Sequence, residues 1–208
     1  MERRPTMTGL SAALLMACML LPLDAHGSGW AIGMGGGYAD KFHYRTYTSV
    51  FGNKSEEVRI NATGFPLLSV LSNAGGRVGM TAQAAFLPYG DRFTRTDQVP
   101  VSVGVRYRVT PEPRYDASPY IEVSPALVWS NWRGSDYYEG GGESVKPGLV
   151  AGLGVQGKAI GKIGVDFGAR YFLSADAKVI SRTGSPRPTQ TLEGLKQLGF
   201  IFGVYYRL

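Results

Sequence analysis

The chain has 208 residues, 44% apolar and 18% charged, with a formal net charge of +6 from 22 basic and 16 acidic side chains. That apolar content excludes a disordered tail, and a modest basic excess without a long basic block gives no reason to expect nucleic acid as a partner. Glycine, at 29 positions, is about twice its ordinary share but follows no triplet repeat, so a collagen-like rod is excluded.

At the N-terminus, Arg3 and Arg4 precede an apolar run from Leu10 to Leu23, closed by Ala25-His26-Gly27. This pattern predicts a secretory signal peptide over residues 1–27: the run is too short for a spanning helix, and the small residues suit a signal peptidase. The single cysteine, Cys18, lies inside this segment, where a lipoprotein signal fits poorly because of Met16 and the apolar residues after Cys18. The domain expected over 28–208 therefore has no thiol, no disulfide and no cysteine-based metal site. It also has no run of eighteen apolar residues, so no transmembrane helix is expected.

Beyond residue 27 the chain shows period-two alternation, in which successive side chains point to opposite faces of a strand. Strand one sets Trp30, Ile32, Met34 and Tyr38 against Ala31, Gly33, Gly35 and Gly37, and strand two sets Val58, Ile60 and Ala62 against Glu57, Arg59, Asn61 and Thr63. In strand three, Val78, Met80, Ala82, Ala84 and Phe86 oppose Arg77, Gly79, Thr81 and Gln83. Strand four is the clearest: Val99, Val101, Val103, Val105, Tyr107 and Val109 form one oily face, with Ser102, Gly104, Arg106 and Arg108 on the other. Strands five, six and seven place Glu122, Lys146, Asp166 and Arg170 on their polar faces, and strand eight runs from Leu198 to Leu208 with Arg207 on its inner side.

The connectors alternate too. Asn73-Ala74-Gly75-Gly76, Pro111-Glu112-Pro113-Arg114 and Ala159-Ile160-Gly161 are compact turns, whereas residues 40–55, 90–97, 131–143 and 175–192 make longer, wetter loops. The pattern predicts an all-β, eight-stranded antiparallel up-and-down transmembrane β-barrel with short periplasmic turns, longer extracellular loops and both mature termini periplasmic. A membrane barrel is favoured over a soluble one because the charged faces need a lumen and the Val and Phe faces need lipid. Trp129 and Trp132, Phe86 and Tyr89, and Tyr171 and Phe172 lie near the loop ends of strands, where rings sit at headgroup level.

Through Val99-Pro100-Val101-Ser102-Val103-Gly104-Val105-Arg106-Tyr107-Arg108, Pro119-Tyr120 and the ending Gly203-Val204-Tyr205-Tyr206-Arg207-Leu208, the sequence resembles the eight-stranded OmpA-like outer-membrane β-barrel domains. The resemblance implies a Gram-negative cell-envelope protein. It also implies a porin-like fold and an assembly signal at Gly203, Tyr206 and Leu208 that the barrel assembly machinery reads, although the chain closes on Leu208 where phenylalanine is usual. Such barrels serve as anchors, adhesins, small channels and, in a few families, enzymes, so the resemblance is nearly silent on activity.

Catalysis has little to work with. His43 sits among Phe42, Tyr44 and Arg45 with no His-x-Ser spacing, and the glycines from Gly33 to Gly37 lack the Lys-Ser/Thr of a phosphate loop. No catalytic residue, cofactor or metal is expected, and a lipid-modifying enzyme is the weakest alternative. The strongest internal signal is the inward charge set: Glu57, Arg59, Arg77, Arg106, Arg108, Glu122, Lys146, Asp166, Arg170 and Arg207, seven basic and three acidic. An eight-stranded lumen is just wide enough to be filled by side chains, so the expected reading is a network of ion pairs in a structural or surface-interaction barrel. The basic excess leaves a narrow anion-selective channel or small-anion site as the alternative. The expected partners are outer-membrane lipid, the assembly machinery and an unspecified extracellular molecule, for a monomer. With nothing after Leu208, no periplasmic peptidoglycan-binding domain is expected on this chain.

The topology gives a first prediction: cysteines placed at Ser135 or Ser185 react with an impermeant thiol reagent on intact cells, and one at Ala74 does not. Reversed labelling would invert the orientation.

Overall fold

A computed structural model describes residues 29–40, 42–48, 54–60, 63–72, 76–90, 95–110, 117–133, 141–180, 189–192 and 194–208. The expected signal peptide and the three labelling positions lie outside the described residues. The strands are β1 (Ala31–Ala39), β2 (Phe42–Thr48), β3 (Lys54–Ile60), β4 (Thr63–Leu71), β5 (Val78–Ala85), β6 (Leu87–Gly90), β7 (Arg95–Arg108), β8 (Ala117–Arg133), β9 (Gly141–Ile160), β10 (Ile163–Ser174), β11 (Ala177–Ile180), β12 (Thr189–Leu192) and β13 (Lys196–Arg207).

These strands form a closed, antiparallel, eight-stranded barrel. The hydrogen-bonded order is β5-β4-β1-β13-β10-β9-β8-β7, and β5 pairs with β7 to close the ring. Strands β5 and β6 make one wall strand, interrupted at Phe86. The N-terminal strand β1 zips to β13 along its whole length, from Ala31↔Arg207 to Ala39↔Gly199. The β9–β10 hairpin turns tightly through Gly161, whose φ of 57° is open to glycine at little steric cost.

Alternation sorts the side chains as expected along most of the wall. Met34, Ile121, Leu127, Leu153, Phe167, Phe200, Phe202 and Val204 lie on the exposed outer face, while Arg106, Arg108, Tyr120, Glu122, Arg170 and Tyr205 are buried. On β13 the outward apolar series from Leu198 to Tyr206 covers about nine residues, the length a tilted strand needs to cross hydrocarbon.

The structure corrects the sequence reading at three points. The second wall strand is β4, not the segment from Glu57 to Thr63. Residues Phe65, Leu67 and Leu71 point inward while Leu68 is exposed, so apolar side chains on both faces erase the alternation, and Pro66 further disguises the strand. Glu57 and Arg59 instead lie on β3, in a separate four-stranded sheet of order β11-β12-β2-β3. In that sheet β2 comes from the expected loop 40–55 and β11 and β12 from the expected loop 175–192, the two pairing through Gln190↔Thr48 to Leu192↔Thr46, while β3 takes up most of the segment expected as wall strand two.

The third correction concerns side chains near the loop ends. Tyr89 and Phe172, expected at headgroup level, are buried. Val99, expected toward lipid, is only 3% exposed, since the stretch from Thr96 to Pro100 is covered on both faces. Alternation fixes which way a side chain points, not what covers it.

The closure of β13 on β1 generates the second prediction. Tyr206 and Leu208 lie on the outer face, and Leu208 N donates to Trp30 O at 2.8 Å. The double variant Tyr206→Asp with Leu208→Asp should leave the chain in the periplasm, without the heat-dependent gel shift of a folded barrel in outer-membrane fractions. A normal shift there would show that these residues carry no assembly signal.

Candidate functional site

The lumen holds two unlike halves. Nearer the short turns, three arginines and two carboxylates converge from β7, β8 and β10. Glu122 is the hub: Arg106 Nε and Nη2 donate to its Oε2 at 2.9 and 2.8 Å, Arg170 Nη2 approaches the same oxygen at 3.5 Å, and Gln83 Nε2 donates to its Oε1. Arg106 Nη1 reaches Asp166 Oδ2 at 3.0 Å and Gln156 Oε1 at 3.1 Å, so one guanidinium spans both carboxylates. Tyr120 lies between the cations: its hydroxyl donates to Asp166 Oδ1 and accepts from Arg170 Nη2 at 3.0 Å, and Arg106 stacks 4.0 Å over its ring. Arg108 completes the group, donating from Nε to Gln156 Oε1 at 3.2 Å and from Nη1 to Gly76 O.

Glycines on β9, the strand between β8 and β10, make room for these large groups. A Cβ on Gly152 would lie 2.7 Å from Arg170 Nη1, and one on Gly154 would lie 2.6 Å from the Tyr120 hydroxyl. Side chains at these two positions would collide with the network, which is why β9 carries glycine where its inner face meets Arg170 and Tyr120.

Nearer the loops the interior is apolar. Phe65, Leu67, Leu87, Tyr89, Val128, Val150, Phe172 and Leu195 form one buried cluster, with the Phe65 and Phe172 rings edge to face at 5.9 Å. Tyr89 donates its hydroxyl to Gln197 Oε1, which ties the cluster to β13. A small cavity of about 20 Å³ remains beside Arg106, Asp166, Ser69, Thr81 and Tyr205, room for about one water.

Of the charges expected inside, the structure brings together Arg106, Arg108, Glu122, Asp166 and Arg170. The others stand apart. Arg59 is on β3 in the second sheet, and Arg77 is exposed at the turn before β5, because a strand's parity no longer binds a residue at its frayed end. Lys146 is half-buried toward the loop end and outside the five-residue network. Arg207 lies at the turn end, half-buried, 5.6 Å over the Tyr205 ring, with Nη2 donating to the Tyr205 hydroxyl at 3.2 Å. Among the described residues the gathered group thus has three cations to two anions, a smaller basic excess than the seven-to-three count along the sequence.

Formal charge alone does not single out Gln83, Tyr120 and Gln156, although period-two parity puts Tyr120 on the face of Glu122 and Gln156 on that of Lys146. It misses the apolar cluster altogether. The available signal is the lack of alternation between Phe65 and Leu71.

No family model matches the chain, and no curated protein matches it. Among solved structures, the outer membrane protein OprG from Pseudomonas aeruginosa superposes with a TM-score of 0.61 at 13% identity, covering 87% of this chain and 96% of that one. The fold is that of the outer-membrane β-barrels. Neisserial surface protein A is similar with a TM-score of 0.55 at 13% identity over 88% of this chain and all of that one. A major outer membrane protein from Thermus thermophilus gives 0.54 at 14% identity over 88% and 100%.

The network generates the third prediction. Arg106→Ala removes the cation shared by the buried Glu122 and the part-buried Asp166 and should cost about 3–5 kcal/mol of stability to urea in detergent. Arg170→Ala should cost less, since that guanidinium stands farther from both carboxylates, and Lys158→Ala, at an exposed site, should change little. Equal unfolding midpoints for all three variants would show that the ion pairs contribute nothing.

Proposed function

We propose that this chain is an integral outer-membrane β-barrel, exported by the signal peptide at 1–27, with no enzymatic activity and a structural or surface-interaction role. The observation that carries this reading is the filled lumen: an ion-paired layer, an apolar layer above it, and a residual cavity of about 20 Å³. A closed interior makes the barrel a rigid pedestal, and the second sheet formed by β2, β3, β11 and β12 is what that pedestal would present at the cell surface. The exposed Val, Leu and Phe of the outer face suit lipid, since a soluble protein seldom leaves so continuous an apolar band uncovered.

The narrow anion channel is the second reading, and the three arginines gathered in the lumen are what favour it. Against it stand Glu122 and Asp166, each held by Arg106 in the middle of any such path. Planar-bilayer recording of the purified protein separates the two. The filled lumen predicts no steady conductance. A steady anion-selective current that falls on Arg106→Ala, with unchanged unfolding, would promote the channel.

A further inference from the structure

At the turn side the outer face ends in a row of four apolar side chains on four adjacent strands. Ile160 pairs with Ile163 across the β9–β10 hairpin, Ile163 with Tyr206 on β13, and Tyr206 with Ile32 on β1, so register sets all four at one height. Each is exposed, from 45% at Ile163 to 79% at Ile160. Lys162 lies one residue beyond that row, exposed in the hairpin turn, with its Nζ 5.9 Å over the Tyr206 ring. The ring's negative face holds the ammonium against the outer wall.

The terminal ladder brings two more groups to this rim. Arg207 N donates to Lys162 O at 2.9 Å, so the two cations occupy facing positions on neighbouring strands, with the Arg207 side chain on the inner side over Tyr205. Leu208 N donates to Trp30 O, which sets the half-buried Trp30 one strand further on. No Asp or Glu side chain stands among the described residues of this rim; Glu112 and Asp116, in the connection between β7 and β8, lie outside them. The opposite rim has the reverse character. There Trp129 is followed, toward the loops, by a rung of Asp97, Asn131 and Glu143, and Asp40 and Asp176 lie at the same end.

We infer that Lys162 and the Tyr206 ring form a docking site for the phosphate of an anionic phospholipid in the turn-side leaflet, with Arg207 adding positive charge from behind. The ligand class follows from level and charge. A lysine one residue past the last apolar row stands where acyl chains give way to headgroups, and it attracts most strongly a phosphodiester whose charge no headgroup amine offsets. Ile160, Ile163 and Ile32 offer the adjoining apolar surface to the first methylenes of the chains. This inference rests on the membrane reading proposed above.

The test uses the full barrel with Trp129→Phe and Trp132→Phe, which leaves Trp30 as its single tryptophan. It is reconstituted in mixed phosphatidylglycerol and phosphatidylcholine bilayers with one or the other lipid brominated. Bromine quenches tryptophan at contact, so the two titrations give the relative affinity of the wall beside Trp30 for the two headgroups, whichever way the barrel inserts. Phosphatidylglycerol should be preferred about fivefold, the effect of one basic side chain at a membrane surface. Lys162→Gln should bring the ratio close to unity, Lys162→Arg should keep it, and raised salt should reduce it. Lys162 is exposed, so both variants should retain the heat-dependent gel shift. A barrel carrying only Trp129 should show no preference. Equal quenching of Trp30 by the two lipids, or a preference that survives Lys162→Gln, would overturn the site and leave the membrane reading intact. The same preference at Trp129 would also overturn it, as a property of the whole barrel's charge. If the lipids quench equally and the detergent-solubilised barrel instead sediments with purified peptidoglycan, losing that binding on Lys162→Gln, the cation serves the cell wall and the lipid assignment falls. Quenching by neither lipid at either tryptophan would remove the membrane reading, and the site with it.

Discussion

Everything in this molecule depends on one constraint: a wall of eight strands must satisfy its backbone hydrogen bonds internally, because hydrocarbon offers no partners. Antiparallel pairing from Ala31↔Arg207 around to the β5–β7 ladder meets that demand by closing the sheet on itself. Closure at eight strands then dictates the interior. The ring is too narrow for a water-filled bore and too wide to be empty, so its inner side chains must pack.

How they pack explains the composition. Arg106, Arg170 and Tyr120 are large, and they fit only because Gly152, Gly154 and Gly168 face them with no side chain. These glycines are the neighbours of the arginines and the tyrosine on adjoining strands, leaving room beside them for side chains that lie along the inner wall. The charges form a layer because Arg106 can hold Glu122 and Asp166 at once; a buried carboxylate without such a partner would carry a desolvation cost of several kcal/mol. Above that layer, Phe65 and Phe172 fill the same ring with no polar atoms to satisfy.

Much of this is legible in the sequence. From Val99 to Val109, where every second residue is apolar, the face assignment is unambiguous, and the positions of Arg106 and Arg108 follow from it. Where both faces are apolar, as from Phe65 to Leu71, periodicity carries no information and the wall strand is missed; where alternation is present, as at Val58 and Ile60, it does not say which sheet the strand joins. Parity also says nothing about strand ends: Arg77 shares the inward phase of β5 and lies exposed beyond it.

The sequence by itself determined the strand count, the closed barrel and the inward direction of Arg106, Arg108, Glu122, Asp166 and Arg170, because a period of two is a local property of the extended chain. Only the tertiary structure decided which of those charges meet. Glu122 and Arg106 are register partners across β7 and β8, but Asp166 reaches Arg106 across the lumen from β10, a contact set by barrel diameter and strand stagger.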